Sequence, residues 1–169
     1  IFLSLFGIQR IGLSIQEFFF VFAAMAIASF FGSLLFGKLS DAWGPRKALM
    51  LILSIWLVLV LVLIVSKHPL VFLIVGSIGG AALGGIWTCN RHMISILAPP
   101  EKTAEIFGFG GLTVKFGGVI GPIGYGWLAT QFNEEAGLIF LFFFLLFALS
   151  ILVKLVRARK VDYGAVVRS

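Results

Sequence analysis

Gly37-Lys-Leu-Ser-Asp41-Ala-Trp-Gly44-Pro-Arg46-Lys47 is a short, charged, glycine-framed stretch set between two long apolar runs. Residues 18–37 before it carry no charge, and neither do residues 48–66 after it. About 20 apolar residues in a helix cross a hydrocarbon core of roughly 30 Å. A segment this polar between two such runs belongs in water at a membrane face. The expected fold is therefore all-α, a polytopic bundle of membrane-spanning helices.

The rest of the chain agrees. Of its 169 residues 60% are hydrophobic and only 12% charged. Soluble domains average about 25% charged residues, so a soluble domain is excluded. Nineteen Phe and four Trp suit a lipid-facing surface better than a small aqueous core. Cys89 is the single cysteine, so no internal disulfide forms, and with His68 and His92 it matches no metal-ligand spacing. No nucleophile is paired with a base, so an enzyme, a metal and a cofactor are all left out of the expectation. The net charge of +6 invites a nucleic-acid reading, but the bases are scattered over short loops, which the positive-inside rule explains better.

Hydropathy places a partial helix at 1–13 and full spans at about 15–37, 47–66, 69–92, 104–131 and 136–157, followed by a basic tail over 158–169. The first stretch reads as the end of a helix that begins upstream, so the chain is expected to be a fragment. One set of loops and the tail hold ten lysines and arginines, Lys38, Arg46, Lys47 and Arg91 among them, while the other set holds Arg10 and Lys67. That asymmetry puts the 37–47 stretch and the C-terminus in the cytoplasm. The opposite side carries Glu134 and Glu135 before the last span.

Within 37–47, Asp41 is a candidate acceptor for a helix N-terminus, where the dipole favours an anion. Gly37 and Gly44 are candidates for a sharp turn. Arg46 and Lys47 suit acidic groups or lipid phosphates. A switching contact and a plain tight turn both fit these residues. In the third span Gly76, Gly80 and Gly84 recur every four residues, a stripe that lets two helices meet backbone to backbone. The same face is expected to continue to Trp87 and Arg91. Arg91 then either anchors the helix at the surface or pairs with Glu101 or Glu105, Arg91–Glu105 being the helix-end pair carried forward.

The fourth span holds Lys115, at about 15 Å of helical rise from Glu105 and hence near the bilayer midplane. Gly108, Gly111, Gly118 and Pro122 lie within about 60° of it around the helix, while Gly110, Gly117, Gly121 and Gly124 cluster opposite. An unpaired ammonium at that depth costs about 3 kcal/mol, and no acid of this chain is expected at the same level. Its partner is then a backbone carbonyl, a group outside this chain, or a substrate anion. Gly111, Lys115, Gly118 and Pro122 form the candidate cavity face, with Gly121-Pro122 suited to a kink or hinge.

The pattern Gly37-x-Leu-x-Asp41-x-x-Gly44-x-Arg46-Lys47 resembles the signature loop of the major facilitator superfamily of transporters. Gly85-Ile-Trp-Thr-Cys-Asn-Arg91, Leu97-Ala-Pro-Pro100, Glu105-Ile-Phe-Gly108, Lys115-Phe and Gly121-Pro122 narrow the likeness. Together they are similar to its vacuole-effluxer-like branch, which includes autophagy-related amino-acid exporters and bacterial relatives. The resemblance implies the second six-helix half of a twelve-helix fold, its first helix truncated, with substrate held between two halves. It also implies that the 37–47 loop gates the cytoplasmic side. The expected partners are the lipid bilayer, a small-molecule solute and the N-terminal half of the same transporter. The expected place is a bacterial inner membrane, and the expected work is export of an amino acid or another carboxylate-bearing solute. A non-transporting membrane scaffold is the competing reading, in which the glycine faces only bind partner helices.

Overall fold

The computed structural model describes residues 14–66 and 68–158, which form five long helices. The expected partial helix over 1–13 and the tail beyond Ala158 lie outside the described residues. Each helix begins at a recognisable signal. Ser14 opens α1 (Ile15–Trp43): its hydroxyl accepts the Glu17 N–H at 3.2 Å, and the Glu17 carboxylate accepts the Ser14 N–H at 2.8 Å. Pro45 starts α2 (Pro45–Val65) and Pro69 starts α3 (Pro69–Leu97), where a ring-fixed φ and a missing N–H cost nothing. His68 adds a cap, its Nδ1 accepting the Leu70 N–H at 3.2 Å. A single 3-10 turn, Pro100–Lys102, leads into α4 (Thr103–Gln131). The Asn133 side chain accepts the Ala136 N–H at 2.8 Å and opens α5 (Glu134–Ala158). All five are long and apolar enough to cross a membrane.

Two helices overrun their expected ends. α1 continues to Trp43 rather than stopping near 37, and α3 continues to Leu97 rather than 92. At 29 residues each, they are about 43 Å long and outreach a core of roughly 30 Å. Charge marks where a helix leaves the lipid, not where it stops. Lys38 to Trp43 therefore stay helical, and the break between α1 and α2 contracts to Gly44, with φ 85° and ψ 147°. Those angles are tolerated essentially by glycine alone. Gly37, expected to turn the chain, is instead an ordinary helical position facing Thr88.

The helices meet through missing side chains. A methyl group at Gly80 would fall on the backbone oxygen of Met25, and one at Gly84 on that of Ser29. Gly32 of α1 lies in the same way against the backbone of Ala81. The stripe Gly76, Gly80, Gly84 thus packs α3 directly on α1, as the spacing predicted, Gly80 and Gly84 against carbonyl oxygens and Gly76 against the side chains of Val21 and Met25. On another side of α3, Gly79 accommodates the indole of Trp56 from α2. α5 also packs on α2, and α4 is fastened chiefly to α5, where Gly137 makes room for the Tyr125 ring and Gly124 for Phe140. One apolar core gathers Leu59, Val60, Leu63, Phe72, Val75 and Tyr125. A second, toward the Gly44 end, holds Phe36, Ala48, Leu49, Ile52, Ala82 and Cys89.

Candidate functional site

The open flank of the bundle is α4. Residues 111–120 are exposed without exception, and among the described residues no atom beyond the helix's own nearby backbone approaches within 4 Å of where a methyl group would stand at Gly108, Gly111, Gly117, Gly118 or Gly121. On the face opposite Lys115, Gly110 lies against Ile94 of α3 and Gly124 against Phe140 of α5. The alternatives left by the two glycine faces are resolved in part: one touches the bundle at its ends, and the glycines of the Lys115 face, Gly108, Gly111 and Gly118, meet nothing among the described residues.

Lys115 sits near the middle of α4 on that bare face, and among the described residues it makes no ion pair. α4 continues as one helix through Pro122. Because proline has no N–H, it leaves the carbonyl four residues back, that of Gly118, without its helical donor. The face therefore presents an ammonium and, one turn away, an under-satisfied carbonyl, with only hydrogen atoms at Gly111 and Gly118 to obstruct approach. Such a surface can hold a small zwitterion or carboxylate. On the other flank a cleft of about 340 Å³ between α3 and α4 is lined by Asn90, Ile94, Phe109, Gly110 and Thr113.

The second expected site, at the Gly44 end, is rearranged. Asp41 caps no helix: α2 has no side-chain cap, and Asp41 lies in the last turn of α1 with its side chain 77% exposed. The His92 ring lies beside it, with Nδ1 at 3.7 Å from Oδ1. The same nitrogen is 2.7 Å from the hydroxyl of Ser40, a residue 1% exposed. Arg46 and Lys47 follow in the first turn of α2, Arg46 half-buried and Lys47 exposed.

Arg91 pairs with neither Glu101 nor Glu105, and all three are exposed. The reason is the extra length of α3. Helix to Leu97 carries the return chain about 9 Å beyond Arg91, so Glu105, in the first turn of α4, is not brought back to it. The α1–α3 seam also leaves Arg91 aside. It follows the four-residue ridge from Gly76, Gly80 and Gly84 on to Thr88 and His92, which meet Gly37 and Ser40, while Trp87 and Arg91 stay outside. Ser40 and His92 were missed for that reason; extending the glycine spacing by fours would have found His92.

Residues 1–166 match the model of the family described as Major Facilitator Superfamily. The uncharacterized MFS-type transporter YfkF of Bacillus subtilis is 30% identical over 141 residues, covering 83% of this chain and 35% of that protein. Autophagy-related protein 22 of Saccharomyces cerevisiae is 32% identical over 85 residues, covering 50% of this chain and 16% of its own length. The matched segment is thus about a third of one relative and a sixth of the other. No solved structure matches the chain.

Proposed function

This chain belongs to the major facilitator superfamily, and from that premise we propose that it forms the second six-helix half of a secondary transporter. The complete protein exports a small carboxylate-bearing solute, an amino acid foremost, by alternating access between its two halves. One observation carries this reading: Lys115 stands mid-span on an exposed, glycine-cleared face that none of the described residues covers. An ammonium at that depth is retained only where a wet cavity or a counter-charge meets it. A translocation path between two halves offers both. The likeness to the amino-acid-exporter branch supports the solute class and the direction.

The reading is tested on the complete protein, purified and reconstituted in liposomes preloaded with a panel of labelled amino acids. Saturable flux of at least one of them is expected. Absence of flux across the panel, with a second membrane protein co-purifying, would establish the scaffold instead.

The gate in this proposal is the Gly44 turn with Gly37, Asp41, Arg46 and Lys47, facing the cytoplasm of a bacterial cell together with the C-terminus. The support is the excess of lysine and arginine at that end. A cysteine placed at Arg46 should resist an impermeant maleimide added to intact cells, and one at Glu134 should react. The opposite pattern would invert the topology.

A further inference from the structure

Where α1 and α3 leave the membrane beside Gly44, three polar side chains converge. The Ser40 hydroxyl, buried in the seam, is 2.7 Å from His92 Nδ1, and Asp41 Oδ1 is 3.7 Å from the same nitrogen. They line a cleft of about 190 Å³ at the junction of α1, α2 and α3. We infer that this cluster is a proton-operated clasp: protonation of His92 ties the last turn of α1 to α3, and deprotonation loosens it.

The chemistry follows from the shared nitrogen. In the neutral ring with the proton on Nε2, Nδ1 is an acceptor and takes the Ser40 O–H. Asp41 then faces a lone pair and gains nothing from approaching. In the imidazolium both ring nitrogens carry hydrogen. Nδ1 becomes a donor, the Ser40 oxygen accepts instead, and the carboxylate 3.7 Å away is drawn in by the new charge. Imidazole is the side chain whose charge ordinarily changes between about pH 5 and 8.

The surroundings leave the pair in control of the site. From α1 the ionisable group facing His92 is Asp41, and from α2 the wall is Pro45, which has none. The remaining walls, Ala42 to Gly44 and Ile96, are also free of ionisable side chains, and Arg46 and Lys47 do not line the cleft. One turn back on α3, the buried thiol of Cys89 donates to the Phe36 carbonyl at 3.6 Å and adjoins the Ser40 hydroxyl, the one other ionisable group beside the cluster among the described residues. This clasp lies at the segment proposed as the gate, so it would make opening sensitive to pH on that side. It does not depend on the transport reading.

The test reads the seam directly. Hydrogen exchange of the backbone amides of residues 38–44 is measured in the complete protein in nanodiscs, corrected for the intrinsic pH dependence of exchange. Protection in the unaltered protein should fall about two- to fivefold between about pH 5.5 and pH 8, the scale of an exposed ion pair. His92→Gln keeps a partner for Ser40 but no titration, and Asp41→Asn removes the charge from an exposed position. Both should show one level of protection at the two pH values. Equal protection in the unaltered protein at both pH values would overturn the clasp, as would a fall that survives in both variants.

Discussion

Lys115→Ala in the complete transporter should lower solute flux about 10- to 100-fold, the range set by losing one hydrogen-bonded charge of about 1.5–3 kcal/mol. Amount and insertion of the protein in the membrane should be unchanged or improved. The two effects diverge for a physical reason. For insertion, a mid-span ammonium is a cost of about 2.5–3.5 kcal/mol, so removing it makes the span easier to accommodate. For a bound carboxylate, the same ammonium is the counter-charge, and no other basic side chain of this chain is expected at that depth. Lys115→Arg should retain part of the flux, because the charge survives on a broader, planar group. Lys115→Met, similar in length and uncharged, should behave as the alanine variant does. Flux is measured as counterflow in proteoliposomes, normalised to inserted protein. Undiminished flux in the alanine and methionine variants would remove Lys115 from the translocation path.

Two glycine-to-valine exchanges should give opposite outcomes although both fall within helices. Gly84→Val places its side chain on the backbone oxygen of Ser29, which belongs to a facing helix and has no rotamer to escape into. Separating α1 from α3 along the seam should destabilise the bundle by about 3 kcal/mol, the upper end of ordinary overpacking. The protein should lose its monodisperse peak at much lower temperature in detergent. Gly118→Val meets nothing within 4 Å among the described residues and should leave thermal behaviour intact. It should nevertheless depress flux, because the added methyl groups crowd the approach to Lys115 and the Gly118 carbonyl. A Gly84→Val protein as stable as the parent would mean that the two backbones do not meet as described. Full flux in Gly118→Val would mean that the open face of α4 borders lipid rather than a path.

The glycine stripe of α3 shows how much tertiary detail a sequence can hold. Small residues every four positions have one main use in a membrane helix, close approach, and the structure supplies the partner, α1. The stripe did not say where the seam goes next. Its continuation by fours reaches Thr88 and His92, whereas a step of three and then one of four suggested Trp87 and Arg91. In the same way, Arg91 and Glu105 have opposite charges and a suitable separation along the chain. Five more residues of α3 helix were enough to keep them apart.

By itself the sequence determined that this is a membrane protein of long α-helices, roughly where each crosses, and which small residues permit close contact. Those properties are local: hydropathy, glycine spacing, and proline or capping groups are each contained in one short window. Which face of a helix looks inward was decided only by the tertiary structure. Among these are the meeting of Ser40 with His92, the isolation of Arg91 and the nakedness of the Lys115 face. The physical reason is the solvent. Lipid and protein interior are both apolar, so a spanning helix needs no polar stripe to mark its outside, and the periodic signal that orients a helix in water is absent.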